Sequence, residues 1–188
     1  MPFSKDILAG SSGQGGGVAD FYDYQIEQSA RFDSASLSYL NKTFSGAGNR
    51  RTGTVSVWIK RGGILATQQL IFNANISNAD QDQLLQFNSS GSANVVDSLS
   101  VWWDGATYGD LTTTQVFRDV SGWNHIVVAW DTTQATDSNR TKIYLNGTQI
   151  TSLTTWNGNS VAYPTENRQF FYNGAYEHAV GRRTAYSG

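Results

Sequence analysis

The chain has 188 residues, a formal net charge of −2, no cysteine and two prolines. That length suits one domain. The missing cysteine excludes disulfide scaffolds, thiolate metal sites and thiol nucleophiles, and the sparse, balanced charge leaves no basic stripe for nucleic acid.

Apolar residues make up 39% of the chain, but it carries six Trp, nine Tyr and nine Phe. Each buried aromatic removes about 150–250 Å² from water, so an aromatic core is expected. No apolar run approaches the roughly 18–20 residues of a membrane span. The opening MPFSKDILAG lacks the apolar core of about 7–15 residues that marks a signal peptide, so no Sec-type export is expected.

Residues 1–28 read as an arm. The run Gly10-Ser-Ser-Gly-Gln-Gly-Gly-Gly17 is linker composition. Phe3, Ile7 and Leu8 ahead of it suit either an anchor in a neighbour or a disordered end.

From Ser29 the period is two. Strands are expected at 30–33, 37–41, 54–60, 69–73, 83–88, 98–103, 112–118, 123–130, 141–145, 148–153, 168–172 and 177–181, separated by Gly, Asn, Ser and Asp clusters of turn chemistry. In Thr54–Lys60, Val55, Val57 and Ile59 share one face and Trp58 takes the other. Trp123–Trp130 is nearly continuously apolar, the pattern of a central strand covered on both faces. Trp58, Trp123 and Trp130 are assigned to core packing. Asn146-Gly147 between two strand-like runs predicts a type I′ hairpin. The pairs Arg50-Arg51, Lys60-Arg61 and Arg182-Arg183 read as solvated strand ends. No helical stripe persists over three turns. The fold class is therefore all-β, an antiparallel sandwich or closed barrel.

Catalytic chemistry is not expected. Glycoside hydrolysis needs two carboxyls about 5–10 Å apart, and the only glutamates are Glu27, Glu166 and Glu177. No G-x-S-x-G elbow occurs. His125, beside apolar residues on a strand, reads as an inter-strand or core histidine. Five N-x-[ST] triplets, at Asn41, Asn75, Asn88, Asn139 and Asn146, read as chance in a chain this rich in Ser, Thr and Asn.

Glycan recognition needs an aromatic platform with amide, carboxylate and backbone partners. Trp103, Asp104, Tyr108, Trp156 and Asn157 are the candidates, with Tyr163 and Tyr172 as further aromatics near loops. Trp102 and Trp103 point to opposite faces, so one of them is outward or at a rim.

Trp123-x-His125-Ile-Val-Val-x-Trp130-Asp131, followed by Lys142-Ile-Tyr-Leu-Asn-Gly147, resembles the laminin-G-like branch of the concanavalin A-like lectin/glucanase superfamily. Arg31-Phe32, Ser38-Tyr-Leu40, Ala47-Gly-Asn-Arg-Arg-Thr52 and Trp58-Ile-Lys-Arg-Gly62 resemble such domains in bacteriophage and marine viral structural proteins. The resemblance implies a jelly roll. It also implies a tail-fibre or decoration subunit in the virion, with a host-surface glycan as ligand; joined to the missing catalytic chemistry and the linker-like residues 1–28, the expectation is a non-enzymatic subunit held to other virion proteins through that arm. A homotrimer follows by analogy with phage fibres. A lectin module outside a virion is the second reading, and a glycan hydrolase the third.

Laminin-G-like domains sometimes hold Ca²⁺ at the sandwich rim. Asn78-x-Asp80-x-Asp82, and Asp131 with Asp137 and Asn139, offer oxygen ligands for it, although Asx turns explain both clusters too. One departure stands out. The family returns a further strand after the Glu177–Gly181 type of strand, and none is visible in Gly181–Gly188. The expectation is an open sheet edge, covered by a neighbour or by a longer natural chain.

Overall fold

Two-residue periodicity organises the chain into strands. The computed structural model describes residues 29–33, 35–65, 67–75, 82–88, 95–104, 108–156 and 161–183. The chain divides into a unit of residues 1–31 and a unit of residues 32–188, and the second is the sandwich. In chain order its strands are β1 (Leu40–Thr43), β2 (Thr52–Ile59), β3 (Gln69–Asn75), β4 (Asp82–Phe87), β5 (Ser98–Trp103), β6 (Gly109–Val116), β7 (Asn124–Asp131), β8 (Thr141–Leu145), β9 (Thr148–Ile150), β10 (Leu153–Thr154) and β11 (Glu177–Val180). A short 3-10 turn, Asp137–Asn139, precedes β8. Among the described residues there is no α-helix and none long and apolar enough to cross a membrane.

The strands form two antiparallel sheets. One has seven strands in the order β1-β11-β3-β4-β5-β6-β10, and the other has four in the order β2-β7-β8-β9. The expected sandwich is therefore present. β11 lies inside its sheet, between β1 and β3, and the described edges of that sheet are β1 and β10.

The inner faces carry the core. Leu85 and Phe87 of β4, Leu99, Val101 and Trp103 of β5, and Leu111 of β6 meet Ile126, Val128 and Trp130 of β7 and Ile143 of β8. Phe170 joins the layers, with its ring 5.7 Å from Trp103 and 5.9 Å from Trp130. Each of these tryptophans lies over a glycine on the next strand. Trp103 faces Gly109 across β5 and β6, and Trp130 faces Gly53 across β7 and β2. A Cβ on Gly109 would stand 2.5 Å from Cζ2 of Trp103, and one on Gly53 would strike the Trp130 ring.

Several sequence expectations are corrected. Residues 30–33 are not a strand, and Leu37 turns the chain with φ +52° before β1 begins. Residues 168–172 are also irregular, although Phe170, Phe171 and Tyr172 are buried. Their backbone is satisfied without a ladder: Phe170 N–H donates to the Arg50 carbonyl, and Phe171 and Tyr172 N–H both donate to Oε1 of Gln83. The run 148–153 splits into β9 and β10, which belong to different sheets. β7 is central in its sheet but covered on one face only, because His125, Val127 and Ala129 are half-buried. Trp58 and Trp123 are outward, 52% and 50% exposed, and of the three assigned to packing only Trp130 is in the core.

The Asn146-Gly147 turn forms as expected, with φ +49° and +84°. Asn146 also accepts from the His125 N–H through Oδ1 at 2.8 Å, so this position is fixed by the turn. Arg61 departs furthest from a solvated strand end. It is 4% exposed and donates to Asp97 Oδ1 at 3.1 Å, to the Phe117 carbonyl at 2.5 Å and to Gln69 Oε1 at 2.8 Å. Its guanidinium lies 4.8 Å from the Phe87 ring centre. Arg118 supplies a second cation to Asp97.

Two consequences can be measured by urea unfolding. Gly109→Ala lowers stability by about 1–3 kcal/mol, the usual cost of overpacking, because Trp103 has no room to retreat. Asp97→Asn lowers it by about 3–5 kcal/mol, since a buried cation then loses its counter-charge.

Candidate functional site

The outer face of the seven-stranded sheet carries polar side chains. Register places Asn41, Ala179, Asn73, Leu84, Trp102 and Asp110 in one row across β1, β11, β3, β4, β5 and β6. At about 4.8 Å per strand the row spans roughly 24 Å. A second row joins Glu177, Asn75 and Asp82, and a third joins Gln86, Ser100, Thr112 and Thr154.

A solvated outer face would leave such groups in water. Here Asn73, Asn75, Asp82, Gln86, Ser100, Asp110 and Thr112 are all buried. Buried polar atoms demand partners, and most of these have them. Asp82 accepts from the Asn75 amide and from the Arg183 guanidinium, whose Nε donates at 2.7 Å. Asn88 donates to Ser98 Oγ at 2.8 Å, and its Oδ1 accepts from the Ser100 hydroxyl at 3.1 Å and the Gln86 amide at 3.3 Å. The buried atoms without a partner include Oδ1 of Asn75, Oε1 of Gln86 and Nε1 of Trp156 beside this network.

Asp110 is the polar centre near β5. It accepts from the Trp156 backbone N–H at 2.6 Å, the Thr112 hydroxyl at 3.0 Å and the Tyr108 hydroxyl at 3.1 Å. Burial pushes its carboxyl above the usual range, although all three hydrogen bonds pull the other way. Tyr108 is pushed up to about 12, first by burial and then by the Asp110 charge. The Tyr108 ring meets Trp102 edge-on at 5.7 Å, and the Arg183 guanidinium lies 5.9 Å from the Trp102 ring centre. At the other end of the rows, Arg182 sits 3.6 Å over the Tyr39 ring and donates to Glu177 at 2.9 Å.

The sequence candidates distribute unevenly. Tyr108 and Trp156 converge on Asp110. Asp104 adjoins through its backbone, donating to the Asp82 carbonyl at 2.9 Å and accepting from Arg168 at 2.7 Å. Trp103 is turned inward and 1% exposed, so its ring cannot serve as a platform; the outward ring is Trp102. Asn157 lies outside the described residues. Sequence reasoning left Trp102 out of its candidate set, and it missed Asp110 and the pairing of Asp82 with Arg183. The first was readable, because Leu99 and Val101 share the parity of Trp103.

The described Ca²⁺ candidates are engaged by protein donors. Asp82 is committed to Asn75 and Arg183. Asp131 accepts from the Thr133 N–H and hydroxyl and from the Gln134 amide, and those bonds hold its carboxyl below the usual range. Asp137 caps the Ser138 N–H, and Asp80 lies outside the described residues. No group of three His, Asp or Glu side chains gathers among the described residues.

Comparison with curated proteins gives no match. Among solved structures, the carbohydrate-binding module CBM40 of the Ruminococcus gnavus IT-sialidase superposes with TM-score 0.44 at 14% identity, over 74% of this chain and 78% of that one. The same module bound to α2,3 sialyllactose gives TM-score 0.40 at 15% identity, over 75% and 90%. The leech intramolecular trans-sialidase, complexed with 2,7-anhydro-Neu5Ac, gives TM-score 0.39 at 14% identity, over 79% of this chain and 26% of that one. A family model matches residues 32–186, the span of the sandwich, and the chain therefore belongs to the concanavalin A-like lectin/glucanases superfamily as one of its laminin-G domains.

Proposed function

We propose that this chain is a non-enzymatic adhesion domain of a virus particle, binding a host-surface glycan on the outer face of its seven-stranded sheet. The observation that carries the glycan reading is the polar outer face with its unmatched groups. Two amide oxygens, on Asn75 and Gln86, and the Trp156 indole N–H are buried without partners, at a cost of about 1–3 kcal/mol each. Sugar hydroxyls both donate and accept, so they complement that set. Trp102 and Tyr108 supply the aromatic surface against which a ring can lie.

The virion half rests on different ground. It is supported by the resemblance of Ala47–Thr52 and its neighbours to viral structural proteins, and by the linker composition of residues 1–28. The domain would be anchored to other virion proteins through those residues, with the sandwich facing outward, as a trimer. The non-enzymatic half is supported by the sequence's lack of the paired-carboxyl strand motif that glycoside hydrolysis uses. The chain has three glutamates, and the Asp110 carboxylate at the centre of the site is already engaged by three donors.

A glycan array with the full chain tests the ligand. We expect hits that weaken about tenfold or more in Trp102→Ala, and an array with no hits would defeat the glycan reading. Absence of the chain from purified particles would defeat the virion half.

Asp110 also generates a pH dependence. Its native carboxyl titrates above its unfolded value, so the native state binds more protons within that window, and the cost of burying the charge is relieved as pH falls. Asp110→Asn has no such contribution. The stability of the wild-type chain relative to the variant therefore rises as pH is lowered from 7 towards about 4, read from paired melting curves. A difference that shrinks towards acid would contradict the assignment.

A further inference from the structure

The outer face of the four-stranded sheet is built differently from that of the seven-stranded one. At one end Trp58 and Trp123 stand half-exposed, at 52% and 50%. Trp58 is held flat, because its indole stacks on His125 with ring centres 4.9 Å apart and planes 16° apart. His125 is itself fixed by a hydrogen bond of 2.9 Å between Nε2 and Ser56 Oγ. Trp58 and His125 are direct partners across β2 and β7, and the same register carried on by one residue puts Trp123 opposite Lys60. That makes Trp123 a diagonal neighbour of Trp58, about 7–8 Å away by Cα.

At the other end of the same strands lies a cleft of about 520 Å³. Its polar walls are Thr52, Thr54, Asp131, Gln134, Asn139 and Lys142. Between cleft and aromatic plate runs the row Ser56, Val127, Tyr144 and Gln149, which crosses all four strands. Thr54 and Trp58 are four residues apart on β2, or about 13 Å. Plate, polar row and cleft therefore form one strip along the sheet.

We propose that this strip is a second glycan-binding site, for a linear, uncharged oligosaccharide of pyranose units. Several observations select this ligand. A flat indole held by a stacked imidazole offers its free face to the C–H side of a sugar ring. Most polar groups along the strip are hydroxyls and amides, the partners that sugar hydroxyls need. Charge is balanced, with Asp131 against Lys142 in the cleft, so nothing there selects an anion. A protein partner would instead need a contiguous apolar patch, whereas here the apolar rings give way to polar walls within one strand length. The strip and the Trp102 site lie on opposite faces of the sandwich, so a single ring cannot touch both. The two sites are thus independent, and this one does not rest on the reading of the other.

Isothermal titration calorimetry of the full chain tests this with three probes: cellohexaose, β-1,4-mannohexaose and maltohexaose. The expected result is binding of at least one, weakened about tenfold or more in Trp58→Ala and largely retained in Trp58→Phe. Thr54→Trp, a substitution at an exposed position that fills the cleft, weakens it as well, and serves in place of Trp58→Ala if that variant does not fold. Binding of none of the three probes overturns the inference, as does wild-type affinity in both Trp58→Ala and Thr54→Trp. Affinity lost in Trp102→Ala but kept in Trp58→Ala overturns this inference alone and supports the site on the other sheet. A blank glycan array beside hexaose binding that depends on Trp58 does the reverse.

Discussion

The structure depends on an aromatic bridge between the sheets. Trp103 comes from the seven-stranded sheet, Trp130 from the four-stranded sheet, and Phe170 from an irregular segment lying between them. Tyr172 extends the group to 5.6 Å from Trp130 and reaches Phe72 at 4.8 Å. Sheets pack about 10 Å apart, and a tryptophan lying over a side chain on its neighbour strand would force them wider. Gly109 and Gly53 remove that obstacle, one in each sheet. Phe170 can enter because its segment needs no ladder: Arg50 donates to its carbonyl at 2.6 Å, and Gln83 receives the next two N–H groups. Inward tryptophans then fix by parity what points outward. Trp103 inside puts Trp102 outside, just as Val57 and Ile59 inside put Trp58 outside.

The parts of this arrangement that local chemistry dictates were legible in the sequence. Asn146-Gly147 needs positive φ twice, and few dipeptides supply it. Alternation in β2 and β5 was equally plain. What escaped depends on partners remote in sequence. Arg61 looks like a strand-end cation until Asp97 arrives from 36 residues away, and Asp97 itself sits at φ +63°, which local pattern does not announce. Residues 168–172 read as a strand because three aromatics in a row resemble one. They are instead a core insertion held by the Gln83 and Arg50 side chains and by the Arg50 carbonyl. In the pair Trp102-Trp103 both rings were in view, and the orientation followed from Leu99 and Val101; proximity to the next loop was the weaker guide.

The outer polar network was the least legible part. Asn73, Asn75, Asp82 and Gln86 look like ordinary outward positions of strands, and nothing in their spacing says that they are buried. Their burial changes what they signify. An exposed Asn or Gln is indifferent to a ligand, because water already serves it. A buried amide oxygen without a partner is already desolvated, so a ligand that reaches it does not have to strip water away first.

The motif that suggested a virus is also engaged inside the fold. Asn49 accepts from the Arg51 and Thr52 N–H groups through Oδ1. Gly48 N–H donates to the Asn173 carbonyl at 2.8 Å, and the Asn173 amide returns a bond of 2.9 Å to the Asn49 carbonyl. Arg50 lies 5.3 Å from the Tyr176 ring centre while holding the Phe170 carbonyl. The polar side chains of Asn49-Arg50 are therefore occupied within the fold, where they set the entry to β2 and pin the segment that carries Phe170. The motif describes how this version of the fold closes its core. The motif is thus committed to the fold whatever the domain is attached to, and a ligand is to be sought on the two outer faces. There the chain places three of its other tryptophans: Trp102 beside a buried polar network, and Trp58 and Trp123 half-exposed on the four-stranded sheet.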